Sequence, residues 1–191
     1  MSTSEENTTF FLNLYNFTIL FGLCKKPPKK FPKSIAEWDN YAKSLEVKVG
    51  RHIFSAFEIQ HAILRACMGP PKNFDYDDYP VYMVNDPKIL LKSNRAEPLI
   101  DFGFYSPYKS SPPLTLFSVE HVTDELRQVA WKCIATKKFE ENKKQLLLPG
   151  IMKDYEDDFF AKRDKKQFIE FLKSCIPEHL TSKYVDVFDR L

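Results

Sequence analysis

The longest apolar run of the chain, residues 10–23, is hydrophobic on almost every side when it is drawn as a helix. A helix with this pattern is buried at the centre of a fold rather than lying on its surface. Asn13 and Asn16 are three residues apart and therefore share one face. A buried carboxamide is costly unless its donors and acceptors are paired. These two side chains are therefore predicted either to tether backbone or to bind a ligand, with tethering favoured.

Two serine–glutamate pairs mark the start of further helices. Ser34 with Glu37, and Ser55 with Glu58, match the capping box, which satisfies free backbone N–H groups at a helix start. The predicted helices run to about residue 45 and about residue 68. The segment between them, EVKVGRHIFS, alternates apolar and polar residues around Gly50 and predicts a β-hairpin.

Ser118 precedes the most regular amphipathic pattern of the chain and is predicted to cap a helix. The apolar residues recur at helical spacing, at positions 122, 126, 129, 130, 133 and 134. A shorter helix is predicted after Asp86, with Pro87 at its first position. Residues 145–150 predict a short strand, and three short helices are predicted within residues 151–161, 165–177 and 182–191.

Residues 99–117 predict a buried strand, then a turn, and then a second apolar run. Positions 99, 100, 102 and 104 are apolar, and Gly103 allows close approach of another backbone. The chain then breaks at a Ser-Pro pair and again at a Pro-Pro pair. Between these breaks lie Lys109, Ser110 and Ser111. Turns held by a rigid scaffold often carry binding groups, so this turn is a candidate functional region.

Together these elements predict an α+β fold. It consists of one mainly helical domain over residues 10–191, with a central buried helix and a small hairpin sheet, after a polar tail at residues 1–9. The length of 191 residues suits a single domain, and the 43% hydrophobic content argues against disorder. The 28 basic and 26 acidic residues give a net charge of +2, which does not favour nucleic-acid binding.

A basic, proline-rich loop with the sequence KKPPKKFPK extends from Lys25 to Lys33. Its prolines exclude a helix or a central strand. We interpret it as a charged surface connection, with contact to an acidic membrane surface as the less favoured alternative. The opening residues lack the basic segment of a signal peptide, and the longest apolar run is shorter than a membrane span. A cytoplasmic location is therefore expected.

The cysteines are widely spaced and form no CxxC pair; they are Cys24, Cys67, Cys133 and Cys175. Zinc sites and disulfide frameworks need clustered cysteines, so free, buried thiols are expected. Glu58 and His61 have the E-x-x-H spacing of di-iron proteins, but those sites need two such motifs and further glutamates. No metal and no cofactor is therefore expected.

Four segments occur in the order typical of one known family; they are FFLNLYNFTIL, GRHIFSAFEIQHAILR, IDFGFYSPYKSSPPLTLFSVEHVTDEL and LLLPGIMKDYEDDF. Together they resemble the domain of unknown function 547 family, an uncharacterised family that is widespread in bacteria, plants and protists. The resemblance extends from residue 10 to about residue 160. The family motifs are matched here by Asn13, Tyr15, Asn16, His61, Ile63, Leu64 and Arg65.

The chain departs from this family pattern in its central stretch. Many relatives have a histidine where this chain has Asp101, and two cysteines where it has Ser106 and Ser111. Ser110 and the Pro-Pro-Leu that follows Ser111 match the pattern. This departure argues against thiol or metal chemistry in this chain. The resemblance itself implies a fold and a region of interest rather than an activity.

Two functional hypotheses follow, and an enzyme is the less favoured of them. The first is a non-catalytic interaction or assembly module with a protein partner, because no complete catalytic constellation is present and the loop FDYDDYPVY suits an interface. The alternative is a hydrolase or transferase with a site around His61, Asp101 and Ser110 or Ser111, in which His61 is a general base rather than a core residue. Its binding residues would be Asn13, Asn16, Arg65 and Lys109.

Overall fold

The computed structural model describes residues 3–70, 79–108, 111–135, 139–140, 145–159, 164–177 and 180. Its elements, in chain order, are α1 (Ser4–Lys25), α2 (Ile35–Lys43), β1 (Glu46–Val49), β2 (His52–Ser55), α3 (Ala56–Glu58), a π-helical turn (Ile59–Leu64), a first 3₁₀ helix (Pro87–Leu91), a second 3₁₀ helix (Pro98–Gly103), α4 (Val122–Ala135), β3 (Phe139–Glu140), β4 (Gln145–Leu146), α5 (Gly150–Asp154), α6 (Glu156–Phe159) and α7 (Lys165–Ser174). The α+β class predicted from the sequence is confirmed.

Helix α1 lies at the centre of the fold, with Leu12 and Ile19 fully buried. It begins at Ser4, six residues before the apolar run that predicts it, so residues 4–9, placed in a polar tail by the sequence, are helical. The reason is a capping box in the polar opening. The Thr3 hydroxyl accepts a hydrogen bond from the backbone N–H of Glu6 at 3.1 Å, and the Glu6 carboxylate accepts one from the N–H of Thr3 at 2.7 Å.

The two predicted capping boxes differ in completeness. Ser55 and Glu58 form both reciprocal hydrogen bonds at the start of α3. Ser34 caps α2 by accepting from the N–H of Glu37, but the Glu37 carboxylate accepts from the N–H of Lys33 instead. The capping box of Ser34 and Glu37 is therefore only half formed, although the helix that it predicts is confirmed.

The predicted hairpin is confirmed as the antiparallel pair β1–β2. Its closing residue pair is Val49 and His52, and Gly50 has φ of +58° in the turn. Positive φ is a conformation that glycine adopts without steric cost, which explains the break in the apolar alternation there. The short strand predicted near residue 145 is also present, because β4 pairs with β3.

The helix predicted to reach residue 68 ends earlier and changes its winding. After α3 the chain forms the π-helical turn, and the N–H of Arg65 donates to the carbonyl of Gln60 at 2.9 Å. This hydrogen bond spans five residues rather than four. The turn carries Gln60 and His61, and Arg65 caps its C-terminal end, so three buried polar side chains follow one another closely here.

The strand predicted at residues 99–104 is wrong. The segment forms the second 3₁₀ helix, with Pro98 at its first position and the Glu97 carboxylate accepting from the N–H of Leu99 at 3.4 Å. A proline whose φ suits a helix start, preceded by an acidic cap, favours a helical turn over a strand. The buried residues of this helix pack against α4.

Helix α4 has the predicted apolar spacing but begins at Val122 rather than next to Ser118. Ser118 does not cap it. Its N–H and hydroxyl both donate to the Glu125 carboxylate, at 2.8 and 2.9 Å. The first two predicted C-terminal helices correspond to α5 with α6, and to α7, whereas residues 182–191 lie outside the described part of the chain.

All four cysteines are free, as expected from their spacing. Cys133 and Cys175 are buried, but Cys24 and Cys67 are exposed, so the prediction of buried thiols is wrong for those two. Cys24 lies in the last turn of α1, and Cys67 lies just beyond the π-helical turn. Within the described residues, no helix is long and apolar enough to cross a lipid bilayer.

Candidate functional site

A buried arginine holds two carboxyl groups at the centre of the fold. The Arg65 side chain is fully buried, and its Nη1 donates to Asp101 Oδ1 at 2.6 Å and to Asp158 Oδ2 at 2.8 Å. Its Nη2 donates to the same Asp158 oxygen at 2.7 Å and to the carbonyl of Gly69 at 2.7 Å. The guanidinium carbon lies 4.0 Å from the centre of the Tyr155 ring. The cluster therefore joins the π-helical turn to the second 3₁₀ helix and α6.

This cluster contains one cation and two carboxyl groups, so its charges do not balance when both are ionised. Burial raises the pKa of Asp101 well above its ordinary value; Arg65 opposes this shift and the Asp158 carboxylate adds to it. Burial also raises the pKa of Asp158, against the effect of Arg65. Burial lowers the pKa of Arg65, but Asp101 and the other negative neighbours outweigh it and leave a net increase. The folded cluster therefore favours an additional proton.

His61 is sealed beside this cluster. Its side chain is fully buried, and its ring packs against Phe57 and Tyr79 at centroid distances of 4.6 and 5.4 Å. Its Nε2 lies 3.9 Å from Asp39 Oδ1. Burial lowers the pKa of His61, and Asp39 opposes this shift. The neutral imidazole is therefore the form that folding favours.

The two asparagines of α1 tether backbone, which confirms the favoured interpretation of the sequence. The Asn13 amide donates to the carbonyl of Phe117 at 2.8 Å and accepts from its N–H at 2.9 Å. The Asn16 amide donates to the carbonyl of Gly103 at 3.1 Å and accepts from the N–H of Tyr105 at 2.9 Å. The stretch after the second 3₁₀ helix is thus fastened along α1 by both asparagines.

A cavity of about 110 Å³ opens next to this stretch. Five of its fourteen lining residues are aromatic, and the lining comes from α1, α2, the π-helical turn, the turn after the second 3₁₀ helix, and α5. The lining residues are Tyr15, Ile35, Trp38, Asp39, Gln60, Phe104, Ser106, Tyr108, Ser111, Pro112, Gly150, Ile151, Asp154 and Tyr155. Tyr155 connects the cavity to the arginine cluster, because its ring also contacts the Arg65 guanidinium.

Several polar atoms of the cavity wall have no hydrogen-bond partner. The Asp39 and Gln60 side chains are buried, and Asp39 Oδ2, Gln60 Oε1 and the Tyr108 hydroxyl have no hydrogen-bond partner. The Gln60 amide nitrogen donates to the Tyr155 hydroxyl at 2.9 Å, which fixes the orientation of the free oxygen. Burial raises the pKa of Asp154 at another point of the wall, against the effect of Lys153.

The candidate site residues predicted from the sequence fall into separate places. Asp101 pairs with Arg65, and His61 lies beside Asp39. Ser111 lines the cavity, where its hydroxyl is hydrogen-bonded to the hydroxyl of Ser106. Lys109 and Ser110 lie outside the described residues. The structure therefore gives His61, Asp101 and Ser111 three different sets of contacts.

The sequence interpretation missed Asp39, Gln60 and Asp158 as site residues. A signal was available for Asp39. On α2 it follows Trp38 and precedes Ala42 by three positions, so a carboxylate lies on the buried face of an amphipathic helix. Asp158 gave no such signal. It lies in a run of acidic residues, and no local sequence pattern distinguishes its buried carboxylate from that of its exposed neighbour Asp157. Within the described residues, no group of three or more His, Cys, Asp or Glu side chains could hold a metal ion.

The fold and site define a class of protein: a mainly helical α+β domain in which Tyr155 joins a buried arginine–dicarboxylate cluster to an aromatic-walled cavity. The chain belongs to the family described as "Protein of unknown function, DUF547", whose sequence profile matches residues 1–133. That description assigns no biochemical activity. No curated protein and no solved structure shows a significant match to the chain. The family match ends within α4, although Asp158 and Tyr155 beyond it complete the buried cluster.

Proposed function

We propose that this chain is a non-catalytic module that binds a protein partner through one face of α1. A row of phenylalanine side chains on this helix carries the proposal. Phe10, Phe17 and Phe21 are 47%, 56% and 53% exposed, although Leu12, Tyr15 and Ile19 of the same helix are buried in the core. The rings of Phe17 and Phe21 are stacked, with centroids 5.7 Å apart. Contiguous exposed apolar surface of this kind is typical of interaction sites.

The same two phenylalanines form one wall of a groove between α1 and β1. The groove has a volume of about 380 Å³, and Leu45 and Val47 contribute to its apolar surface. Three lysines and one glutamate also line it; they are Lys25, Lys26, Lys48 and Glu46. The groove is thus apolar with an excess of positive charge, which complements an apolar side chain flanked by carboxylates. Its concave shape favours a protein segment over a flat lipid surface.

The contacts of the predicted catalytic residues support a role without catalysis. Asp101 is used by a structural ion pair, and both amide groups of Asn13 and Asn16 are used by backbone. His61 is fully buried against aromatic rings. A general base must lie within hydrogen-bond reach of the proton that it removes. The hydrolase alternative would require these residues to give up contacts that hold the fold together.

The experiment is a selection of displayed random peptides on the immobilised full chain. We expect enrichment of peptides that combine an aromatic or branched apolar residue with neighbouring Asp or Glu. Binding should be lost in the double variant F17S/F21S and strongly reduced in the charge-reversed variant K25E/K48E. The matched controls, Leu90→Ser and Lys132→Glu, change an exposed apolar and an exposed basic residue outside the groove and should retain binding.

Two results would overturn the proposal. The first is enrichment of peptides whose binding survives F17S/F21S but not Leu90→Ser. The second is the absence of peptide enrichment together with flotation of the chain on phosphatidylserine vesicles, which would assign the lysines between Lys25 and Lys33 to a membrane surface instead. A separate assay tests the absence of catalysis: hydrolysis of p-nitrophenyl acetate by the wild-type chain that disappears in Ser111→Ala would contradict it.

A further inference from the structure

We propose that the aromatic-walled cavity binds a small organic cation that carries N–H groups, such as a primary ammonium or a guanidinium. This inference is independent of the proposed protein interface, because the cavity and the α1–β1 groove share no residue. It rests on the cavity's charge, its unpaired acceptors and its aromatic walls, each of which restricts the ligand in a different way.

The charge of the cavity wall excludes anions as preferred ligands. Asp39 and Asp154 line the cavity, and none of its described lining residues is a lysine, arginine or histidine. The buried cation Arg65 contacts Tyr155 of the cavity wall, but it donates its hydrogen bonds to two other carboxyl groups and a carbonyl rather than to Asp39. A cationic ligand would supply the missing countercharge in a place where solvent screening is weak.

The unpaired acceptors require hydrogen-bond donors from the ligand. Asp39 is 2% exposed and Gln60 is 5% exposed, yet Asp39 Oδ2 and Gln60 Oε1 both lack a partner. A buried polar atom without a hydrogen bond is costly, and nearly all such atoms in folded proteins are paired. An ammonium or guanidinium presents N–H donors to both oxygens. A quaternary ammonium has the charge but not the donors, so it fits less well.

The aromatic walls suit the cation itself. Trp38 and Tyr108 approach edge to face at a centroid distance of 5.8 Å, and Tyr15 and Phe104 do so at 4.9 Å. Aromatic faces attract organic cations through the negative charge of their π-systems, and tryptophan does so most strongly. With Tyr155 completing the wall, the cavity offers aromatic rings from four different parts of the chain. Its volume of about 110 Å³ limits the ligand to a small molecule or a single side-chain head group.

The test compares four probes of similar size on the full chain: n-butylammonium, methylguanidinium, tetramethylammonium and n-butanol. Affinities are measured by isothermal titration calorimetry, and contact is confirmed by saturation-transfer NMR. We expect binding of the two probes that combine positive charge with N–H donors. Tetramethylammonium and n-butanol should bind about tenfold or more weakly, because a charge-assisted hydrogen bond contributes roughly that factor.

Variants locate the site. Asp39→Asn keeps the shape of the side chain and should weaken n-butylammonium binding about tenfold or more. Asp154→Asn, at a less buried part of the wall, should weaken it less and provides a readout if Asp39→Asn fails to fold. The matched control, Asp124→Asn, changes an exposed carboxylate on α4 and should leave the affinity unchanged. Circular dichroism and thermal unfolding confirm that each variant is folded.

Three results would overturn the inference. One is equal affinity for n-butanol and n-butylammonium, which would make the cavity a purely apolar site. The second is unchanged n-butylammonium affinity in the folded Asp39→Asn and Asp154→Asn variants, which would place the bound cation elsewhere. The third is no binding of either N–H-bearing cation by the folded wild-type chain. None of these results bears on the α1–β1 groove, so failure here is distinguishable from failure of the proposed protein interface.

Discussion

Arg65 and Asp101 form a salt bridge of 2.6 Å in which both side chains are completely buried. They are 36 residues apart in the chain, and Asp158 adds a second carboxyl group from a still more distant segment. Removing two charges from water costs several kcal/mol for each, and their attraction compensates only when the hydrogen bonds are well formed. Arg65 and the two carboxyl groups therefore stabilise the fold by joining three segments that are far apart in the sequence.

Replacing Arg65 should destabilise the fold strongly. Arg65→Met fills most of the space but leaves two buried carboxyl groups without a cation, so we expect a loss of about 3–5 kcal/mol in the free energy of unfolding. Urea denaturation measures this loss. The control Arg127→Met removes an exposed i,i+3 pair with Asp124 and should cost less than about 1 kcal/mol. Equal effects of the two substitutions would show that the buried pair contributes no more than a surface one.

Stability should decrease as the pH rises above the ordinary range of an aspartate. Burial raises the pKa of Asp101 in the folded state, so between the ordinary pKa near 4 and the folded value the folded chain binds more protons than the unfolded chain. Raising the pH through this window therefore favours unfolding. Urea denaturation at a series of pH values measures the slope. Asp101→Asn should reduce it, and a wild-type slope that persists in this variant would assign it to another group.

His61 should produce a pH dependence of the opposite sign. Burial lowers its pKa in the folded state, so below about pH 6.5 the unfolded chain binds a proton that the folded chain does not. The free energy of unfolding should therefore fall on acidification from pH 7, and the loss should end at the folded pKa. His61→Gln should lack this component, whereas the control His121→Gln, which changes an exposed histidine, should keep it. NMR titration of the imidazole would measure the folded pKa directly.

The sequence predicted the elements whose signals are local. The caps at Ser34, Ser55 and Asp86 and the glycine turn at Gly50 are confirmed, because each depends on residues within a few positions of one another. The strand predicted at residues 99–104 failed although the signal that decides its structure is also local. Its apolar residues alternate as in a strand, but the cap at Glu97 lies just before the window that suggested alternation.

The candidate site could be predicted only in part. The position of Asn13 and Asn16 on one buried helical face correctly indicated tethering. The partner of Asp101 could not be predicted, because Arg65 and Asp101 belong to different elements and no local pattern joins them. The residues that line the cavity come from five separate segments of the chain. Only folding brings its aromatic rings and unpaired acceptors together, so no local sequence pattern predicts them.

Gly103 should tolerate no side chain. A Cβ atom at this position would lie 2.7 Å from Leu12 Cδ2 and 3.0 Å from Leu126 Cδ2, and both leucines are buried in the core. Gly103→Ala should therefore cost roughly 1–3 kcal/mol in the free energy of unfolding, as overpacked cores do. Gly69→Ala provides the control, since a Cβ there meets nothing within 4 Å. A stabilising effect of Gly103→Ala in urea denaturation would mean that the two leucines move aside freely.

Ser106 and Ser111 should support a disulfide when both are replaced by cysteine. Their hydroxyls are hydrogen-bonded across the turn, which brings the two side chains within the short range that a disulfide spans. After oxidation, S106C/S111C should show no more maleimide-reactive thiols than the wild-type chain, and after reduction it should show two more in the unfolded state. The single variants S106C and S111C should keep one additional reactive thiol after oxidation. If both introduced thiols of the double variant stay reactive, the two side chains do not face each other across the turn.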